Sequence, residues 1–144
     1  MTNAQEIFDT AMGLIDEVNE TSGSTDTADT KEYKLRSLYI LNLLRGELYP
    51  YSDTYAAQEA GKRPIVGPIP DFTSPIGLDD YICQSILPYG LAAHLLLDEN
   101  PSAAGFFQQR YEELKRQLAA GLPRESEDIR DLYGGIGHGE FSRW

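Results

Sequence analysis

The chain has 144 residues, of which 41% are hydrophobic, and a formal net charge of −11 at pH 7. This length suits a single domain with one core, and the acidic surplus disfavours sequence-specific binding to nucleic acid, which the molecule repels at long range. The one cysteine, Cys83, excludes an intramolecular disulfide, and no apolar run approaches the ~20 residues of a membrane span. Because the start of the chain lacks the basic flank and apolar core of a signal peptide, we expect synthesis in the cytoplasm.

Two amphipathic helices are predicted in the first third of the chain. Residues 4–18 carry apolar side chains at helical spacing, with Thr2 or Asn3 as the N-cap. After a polar loop, residues 31–49 form a second helix, which Asp29 or Thr30 caps and Pro50 ends. Leucines cover more than one face of this second helix, so we expect it to be the most buried of the early elements.

Residues 51–77 are predicted to form an irregular middle loop. Four prolines between positions 64 and 75 exclude a long helix there. The loop is nevertheless rich in apolar side chains, which either cover the helical core or reach a partner. A second contact surface is predicted at four of them: Ile65, Val66, Ile69 and Phe72.

The third predicted helix begins near Asp79 and Asp80, which are placed to cap it or to complement its dipole. It continues toward residue 99 and contains Pro88, whose ring clashes with the preceding turn and predicts a bend. Gly90 leaves room for a neighbouring helix at that bend. The thiol of Cys83 lies among apolar residues, which predicts that it is buried and unreactive.

The fourth helix is predicted to begin at Asn100-Pro101, with Asn100 as N-cap and the proline at the first helical position. Gly121 ends the helix and Pro123 prevents its continuation. The short connection makes helices three and four an antiparallel hairpin. Three aromatic side chains are expected to pack within it: Phe106, Phe107 and Tyr111.

Residues 122–144 are predicted to form an extended docking arm, separate from a helical domain at residues 1–121. The glycines at positions 134, 135, 137 and 139 disfavour a regular helix or strand there. Apolar side chains among them favour docking on a surface, in the same chain or a neighbouring one. The predicted arm contacts are Tyr133, Ile136, Phe141, Arg143 and Trp144.

No catalytic, cofactor or metal site is predicted. His94 and His138 have no histidine or carboxylate partner at ligand spacing, apart from a surface pair between His94 and Asp98. Asp79-Asp80 and Asp98-Glu99 are interpreted as residues of helix ends rather than as acid–base pairs. The glycines of the arm have neither a preceding strand nor the Lys-Ser/Thr of a phosphate loop. The sequence therefore predicts an assembly component, all-α with about four helices.

Several stretches of the second half resemble the helical head–tail adaptor (connector) proteins of tailed bacteriophages and prophages. These stretches are residues 78–84 (LDDYICQ), 87–93 (LPYGLAA), 96–101 (LLDENP), 106–114 (FFQQRYEEL) and 140–144 (EFSRW). The resemblance implies a ring, commonly twelve-fold, that lies beneath the portal, extends the DNA channel and carries the stopper or tail. It implies as partners the portal protein, a stopper or tail protein and further copies of the chain, with DNA only as passing cargo. It also implies a place in the virion neck after assembly in the host cytoplasm.

Two alternatives remain open from the sequence. One is another neck or tail-completion protein of the virion, a group that is more often rich in β-structure. The other is a small acidic regulator that mimics DNA and inhibits a host DNA-binding protein, since the net charge of −11 also suits that role.

Overall fold

A computed structural model describes residues 1–17, 20–21, 23–25, 27–54 and 67–121. Across these ranges the chain is a small all-α bundle, which confirms the predicted fold class. A single isolated β-bridge joins Asn3 to Pro75. The helices are α1 (Ala4–Leu14), α2 (Lys31–Leu48), α3 (Asp80–Ser85), α4 (Leu87–Leu96) and α5 (Pro101–Ala120), with a 3-10 turn at Tyr49–Tyr51.

The start of α1 is set by Asn3, as predicted. The Asn3 side chain accepts a hydrogen bond from the Glu6 amide at 3.0 Å, and the Glu6 carboxylate accepts one from the Asn3 amide at 3.2 Å. This reciprocal pair satisfies two amide donors that the first turn of a helix leaves open. The helix ends earlier than the predicted residue 18, because Asp16 has a φ of 61°, in the left-handed region.

The α2 helix begins at Lys31 as predicted, although Thr30 does not cap it with its side chain. The Thr30 hydroxyl instead donates to the Thr25 carbonyl at 2.6 Å. Pro50 falls in the 3-10 turn that directly follows the helix. The loop before α2 is thus closed on itself by side-chain hydrogen bonds.

The expectation that α2 is the most buried early element is wrong. Its inner face packs against α4 through buried leucines at positions 41, 44 and 48. Its opposite face carries Leu35, Tyr39 and Leu43, all of them exposed. The rest of the described chain leaves this outer strip of the helix uncovered, so its two leucines and its tyrosine remain in contact with solvent.

The bend predicted at Pro88 is a complete break between two helices. The α3 helix ends at Ser85 and α4 begins at Leu87, with Pro88 in its first turn. Proline lacks the amide hydrogen that would bond to the carbonyl of Gln84, so a continuous helix is not maintained across this point.

The centre of the bundle is α4, which packs against all four other helices. Gly90 allows this close approach, as predicted. A Cβ atom at that position would lie 3.0 Å from the Leu44 side chain on α2 and 3.0 Å from the Tyr111 ring on α5. Gly90 therefore sets how closely three helices pack.

Both predicted ends of the long α5 helix are confirmed. Asn100 caps it by accepting from the Ala103 amide at 3.2 Å, and the helix ends at Gly121. Phe107 and Tyr111 are buried in the hairpin with α4. Phe106 is exposed, contrary to expectation, and its ring lies edge-on to that of Phe107, with the two ring centroids 5.6 Å apart.

The carboxylates of Asp79 and Asp80 do not cap α3 by hydrogen bonding, although Asp79 occupies the N-cap position. Asp79 accepts bonds from the Ser52 hydroxyl at 3.1 Å and the Asp53 amide at 3.0 Å. Asp80 accepts from the amide and hydroxyl of Thr2 at 3.1 and 2.9 Å. These bonds tie α3 to two distant parts of the chain.

Candidate functional site

An apolar stripe runs along the outer face of α2. Leu35, Tyr39 and Leu43 are 66%, 77% and 73% exposed. Their spacing of four residues places them in one row on the helix surface. Scattered exposed apolar residues are ordinary, whereas a continuous row beside a groove is typical of an interaction surface.

A groove of about 420 Å³ adjoins this stripe. One wall is the first half of α2, and the other is the segment at residues 69–72, which ends the middle loop. Most of the lining is apolar, and the described chain supplies no catalytic arrangement within it. The lining residues are Lys31, Lys34, Leu35, Leu38, Tyr39, Asn42, Ile69, Pro70 and Phe72.

Hydrogen bonds fix the second wall of the groove to the helices. The Asn42 side-chain amide donates to the Ile69 carbonyl at 3.3 Å, and its oxygen accepts from the Ile69 amide at 2.8 Å. The Gln5 amide on α1 donates to the Phe72 carbonyl at 3.0 Å. The wall at residues 69–72 is thus held in place by an α2 side chain and by the backbone of α1, so the groove is part of the folded chain.

The middle-loop residues predicted as a second contact surface divide into two groups. Ile69 is buried in the core, and Phe72 is half-buried and packs edge-on against Phe8, with ring centroids 5.9 Å apart. The sequence left open whether the apolar side chains of this loop cover the helical core or reach a partner. These two side chains cover the core. Phe72 also lines the groove. Ile65 and Val66 lie outside the described residues.

The predicted contacts of the C-terminal arm, Tyr133, Ile136, Phe141, Arg143 and Trp144, all lie outside the described residues, which end at Gly121. Their docking stays a prediction, and so does the boundary between a domain at 1–121 and an arm at 122–144.

Two charged residues line the groove, and both are lysines. The groove is therefore locally positive, although the chain as a whole has 23 acids against 12 lysines and arginines. The Lys34 ammonium lies 4.9 Å from the centre of the Phe72 ring and 5.9 Å from that of Phe8. Lys31 is exposed at the start of α2. An apolar floor with a cationic edge suits a peptide that carries both apolar and acidic side chains.

A second concavity, of about 390 Å³, lies where α1, α3, α4 and α5 meet. Its lining is more polar and includes Gln84 and Arg110. The Arg110 guanidinium is 3.5 Å from the Glu113 carboxylate on the same helix, so its charge is partly neutralised. This concavity has fewer features of a peptide-binding surface than the groove beside α2.

Burial is the largest cause of the raised pKa values of one cysteine and two tyrosines in the described chain. Burial raises the pKa of Cys83 to about 12, and the thiol donates to the Leu78 carbonyl at 3.6 Å. Burial, with a bond to Glu99, raises the pKa of Tyr33 to about 12. Burial chiefly, with the nearby Glu47 carboxylate, raises the pKa of Tyr111. None of these groups is in an ionised, nucleophilic form at neutral pH.

Searches of the described residues for other kinds of site gave two further findings. Across the ranges that the structure covers, no three histidine, cysteine or carboxylate side chains come together as a metal site would require. None of the described helices has the length and apolar character needed to cross a bilayer.

Sequence reasoning did not identify the groove or its lysines. The available signal was the excess of leucines on α2, which cover more faces than one packing partner can bury. That signal was interpreted as deep burial, because nothing in the pattern shows how many helices surround α2.

Comparison with family models, with curated proteins and with solved structures finds no match for this chain.

Proposed function

We propose that this protein is a structural subunit of a phage particle, a head–tail adaptor that forms a ring between the portal and the stopper or tail. The observation that carries the proposal is the outer face of α2, with an exposed apolar stripe beside a preformed groove. Such a surface is suited to protein–protein contact. The resemblance of residues 78–144 to adaptor proteins supplies the kind of assembly.

The arrangement of the hairpin supports this role. The α4–α5 pair is closely packed around Gly90 and ends at Gly121, after which the sequence contains glycines and anchoring aromatics. In the proposed ring, the helical body gives the subunit its shape and residues 122–144 dock on the portal or on a neighbouring subunit. Trp144 and Phe141 are the proposed anchors, because large rigid aromatics dominate the energetics of many interfaces.

The charge of the chain is compatible with a channel that DNA crosses. A net charge of −11 repels the phosphate backbone, so passing DNA is not retained. In the proposed ring, no residue of this subunit binds DNA specifically.

The test is incorporation into particles produced from the genome that encodes the chain. Deletion of residues 135–144 should leave the circular-dichroism spectrum and thermal stability of the helical body unchanged. The truncated chain should be absent from purified particles by mass spectrometry. Leu97→Ser, on an exposed side chain between α4 and α5, is the matched control and should be incorporated normally.

Two results would count against the proposal. Normal incorporation of the truncated chain would remove the docking role of the arm. Absence of the intact chain from particles, together with its recovery on a host DNA-binding protein, would favour the acidic DNA-mimic alternative.

A further inference from the structure

We propose that the groove beside α2 binds the chain's own C-terminal segment, with residues 128–136 seated between α2 and the 69–72 wall. This inference concerns the free subunit before any assembly, so it goes beyond the adaptor role and does not depend on it. It identifies the groove as a peptide-binding site and its ligand as an acidic, aromatic-containing segment of the same molecule.

The direction of α5 determines where this segment leaves the helical body. The Tyr33 hydroxyl near the start of α2 bonds to Glu99, just before α5, and Lys115 near the end of α5 bonds to Glu47 near the end of α2. The two helices therefore run in the same direction. Gly121 lies beyond the C-terminal end of α2, and the following residues must turn back to reach the groove.

The distance matches the length of the segment. Lys34 precedes Glu47 by thirteen positions, about 20 Å along the helix axis, and the six residues from Lys115 to Gly121 add about 9 Å. With the path around α2 included, the chain must cover about 35 Å, which takes roughly ten extended residues. Asp131 is ten residues beyond Gly121, so Leu132 and Tyr133 reach the groove when the intervening chain is extended.

The apolar stripe lies on this path. Helix geometry places Leu35, Tyr39 and Leu43 between the side of α2 that faces Lys115 and the side that forms the groove. A segment that crosses from α5 to the groove must pass over this row. In the free subunit, docking therefore covers side chains that the described fold leaves exposed.

The charges of the two partners are complementary. Residues 125–131 contain four acids, Glu125, Glu127, Asp128 and Asp131, and one base, Arg130. The charged residues of the groove lining are Lys31 and Lys34. Asp131 directly precedes Leu132 and Tyr133 in the segment. When these two side chains lie on the apolar floor of the groove, Asp131 lies near the lysines at its edge.

The C-terminal segment that fills the groove is expected to come from the same chain rather than from a second copy. A tether of about ten residues spans the path in its extended form, so the segment and the groove stay in one molecule at any dilution. A separate copy meets the groove at a rate that falls as the protein is diluted. In dilute solution the intramolecular contact is thus the one expected to form.

The experiment is zero-length carbodiimide cross-linking of the full-length protein, read by mass spectrometry. The reagent joins a lysine to a carboxylate that is already in contact with it. An equal mixture of ¹⁴N- and ¹⁵N-labelled chains distinguishes the source, since an intramolecular link contains one isotope and a link between copies contains both. We expect single-isotope links from Lys34 or Lys31 to Asp131, the acid that the path length brings to these lysines.

Variants test whether the groove itself is needed. Leu35→Ser in the groove or Leu132→Ser in the segment should each lower the ratio of docked to undocked chains about tenfold, the equivalent of about 1.4 kcal/mol for one aliphatic anchor. Leu97→Ser is the matched control, because Leu97 is 61% exposed but lies outside the groove, and it should leave the links unchanged. The Lys115–Glu47 pair is an internal positive control for folding and for the reagent.

Each of four results would overturn the proposal. Links that contain both isotopes would assign the groove to a second copy. Links from Lys31 to Glu59 would assign it to the middle loop. Absence of links from Lys31 and Lys34 to Asp131 while Lys115 links to Glu47 would show that the segment is elsewhere. Links that persist in both Leu35→Ser and Leu132→Ser would show contact by charge alone, without the groove.

Discussion

Leu43 and Leu44 are neighbours in the sequence and have opposite environments in the fold. Leu44 is 2% exposed and meets α4 at Gly90, whereas Leu43 is 73% exposed on the outer face of α2. Both leucines favour the same helix, so local preference does not distinguish them. What differs is whether another backbone approaches. The inner face is explained by the bundle, while the outer face awaits a ligand or partner.

The largest effect on stability is expected when Leu43 and Leu44 are each replaced by alanine. Leu44→Ala should lower the free energy of unfolding by about 2–5 kcal/mol, because it removes buried contacts and leaves a cavity. Leu43→Ala should change it by less than about 0.5 kcal/mol in a chain truncated after Gly121. Urea unfolding of both variants measures the difference. Equal losses of stability would show that the outer face of α2 is packed as closely as the inner face.

Gly90→Ala tests, from α4, how closely the inner face of α2 is packed. The added Cβ would lie 3.0 Å from Leu44 and Tyr111, so we expect a loss of about 1–2 kcal/mol despite the better helix propensity of alanine. Gly105→Ala on α5 is the matched control, since nothing lies within 4 Å of its Cβ position. It should gain about 0.5–1 kcal/mol. Thermal unfolding that moves both variants in the same direction would contradict the packing role of Gly90.

Asn42→Ala tests the second wall of the groove. It removes both hydrogen bonds between α2 and Ile69, and we expect a loss of about 1 kcal/mol in stability. Faster hydrogen exchange should be confined to residues 67–72 and should not extend to α4. Protection lost equally in α4 would show that the wall belongs to the same cooperative unit as the inner face.

The smallest effect is a pH dependence that involves Asp80. The hydrogen bonds from Thr2 lower the pKa of this carboxyl below its ordinary 3.8. Its contribution to stability is therefore complete above that value and is lost as the pH falls through the lower, folded-state pKa. The Thr2 carbonyl also accepts from the Ile76 amide, so Thr2 joins the start of the chain both to α3 and to the segment that precedes it.

The corresponding experiment compares the wild-type chain with Asp80→Asn in thermal unfolding from about pH 7 to about pH 2. We expect the wild type to be the more stable at neutral pH and the two curves to converge at the acid end. A constant difference over the whole range would show that the carboxylate charge has no part in this contact.

Local signals in the sequence were sufficient for much of the helical framework. Asn100-Pro101 and Gly121 act within one turn of the chain, so both ends of α5 were predictable. Pro88 acts on the preceding turn, and its effect was correctly located although a bend was predicted and a break is observed. Each of these effects depends on neighbouring residues alone.

Predictions failed where the outcome depends on distant parts of the chain. Asp79 and Asp80 mark the start of α3 as predicted, but their carboxylates bond to Ser52, Asp53 and Thr2 rather than capping the helix, and that proximity comes from tertiary packing. Phe106 is as apolar as Phe107 but faces away from α4. The groove depends on a hydrogen-bonded contact between α2 and residue 69, which no periodicity encodes.

The thiol of Cys83 makes the molecule a reporter of its own internal opening. It is the only cysteine, it is fully buried, and its pKa of about 12 keeps it protonated in the native fold. A thiol reagent added under native conditions therefore reacts only during excursions in which α3 separates from the bundle. The labelling rate then gives the free energy of that excursion, in the unaltered protein and without an introduced probe.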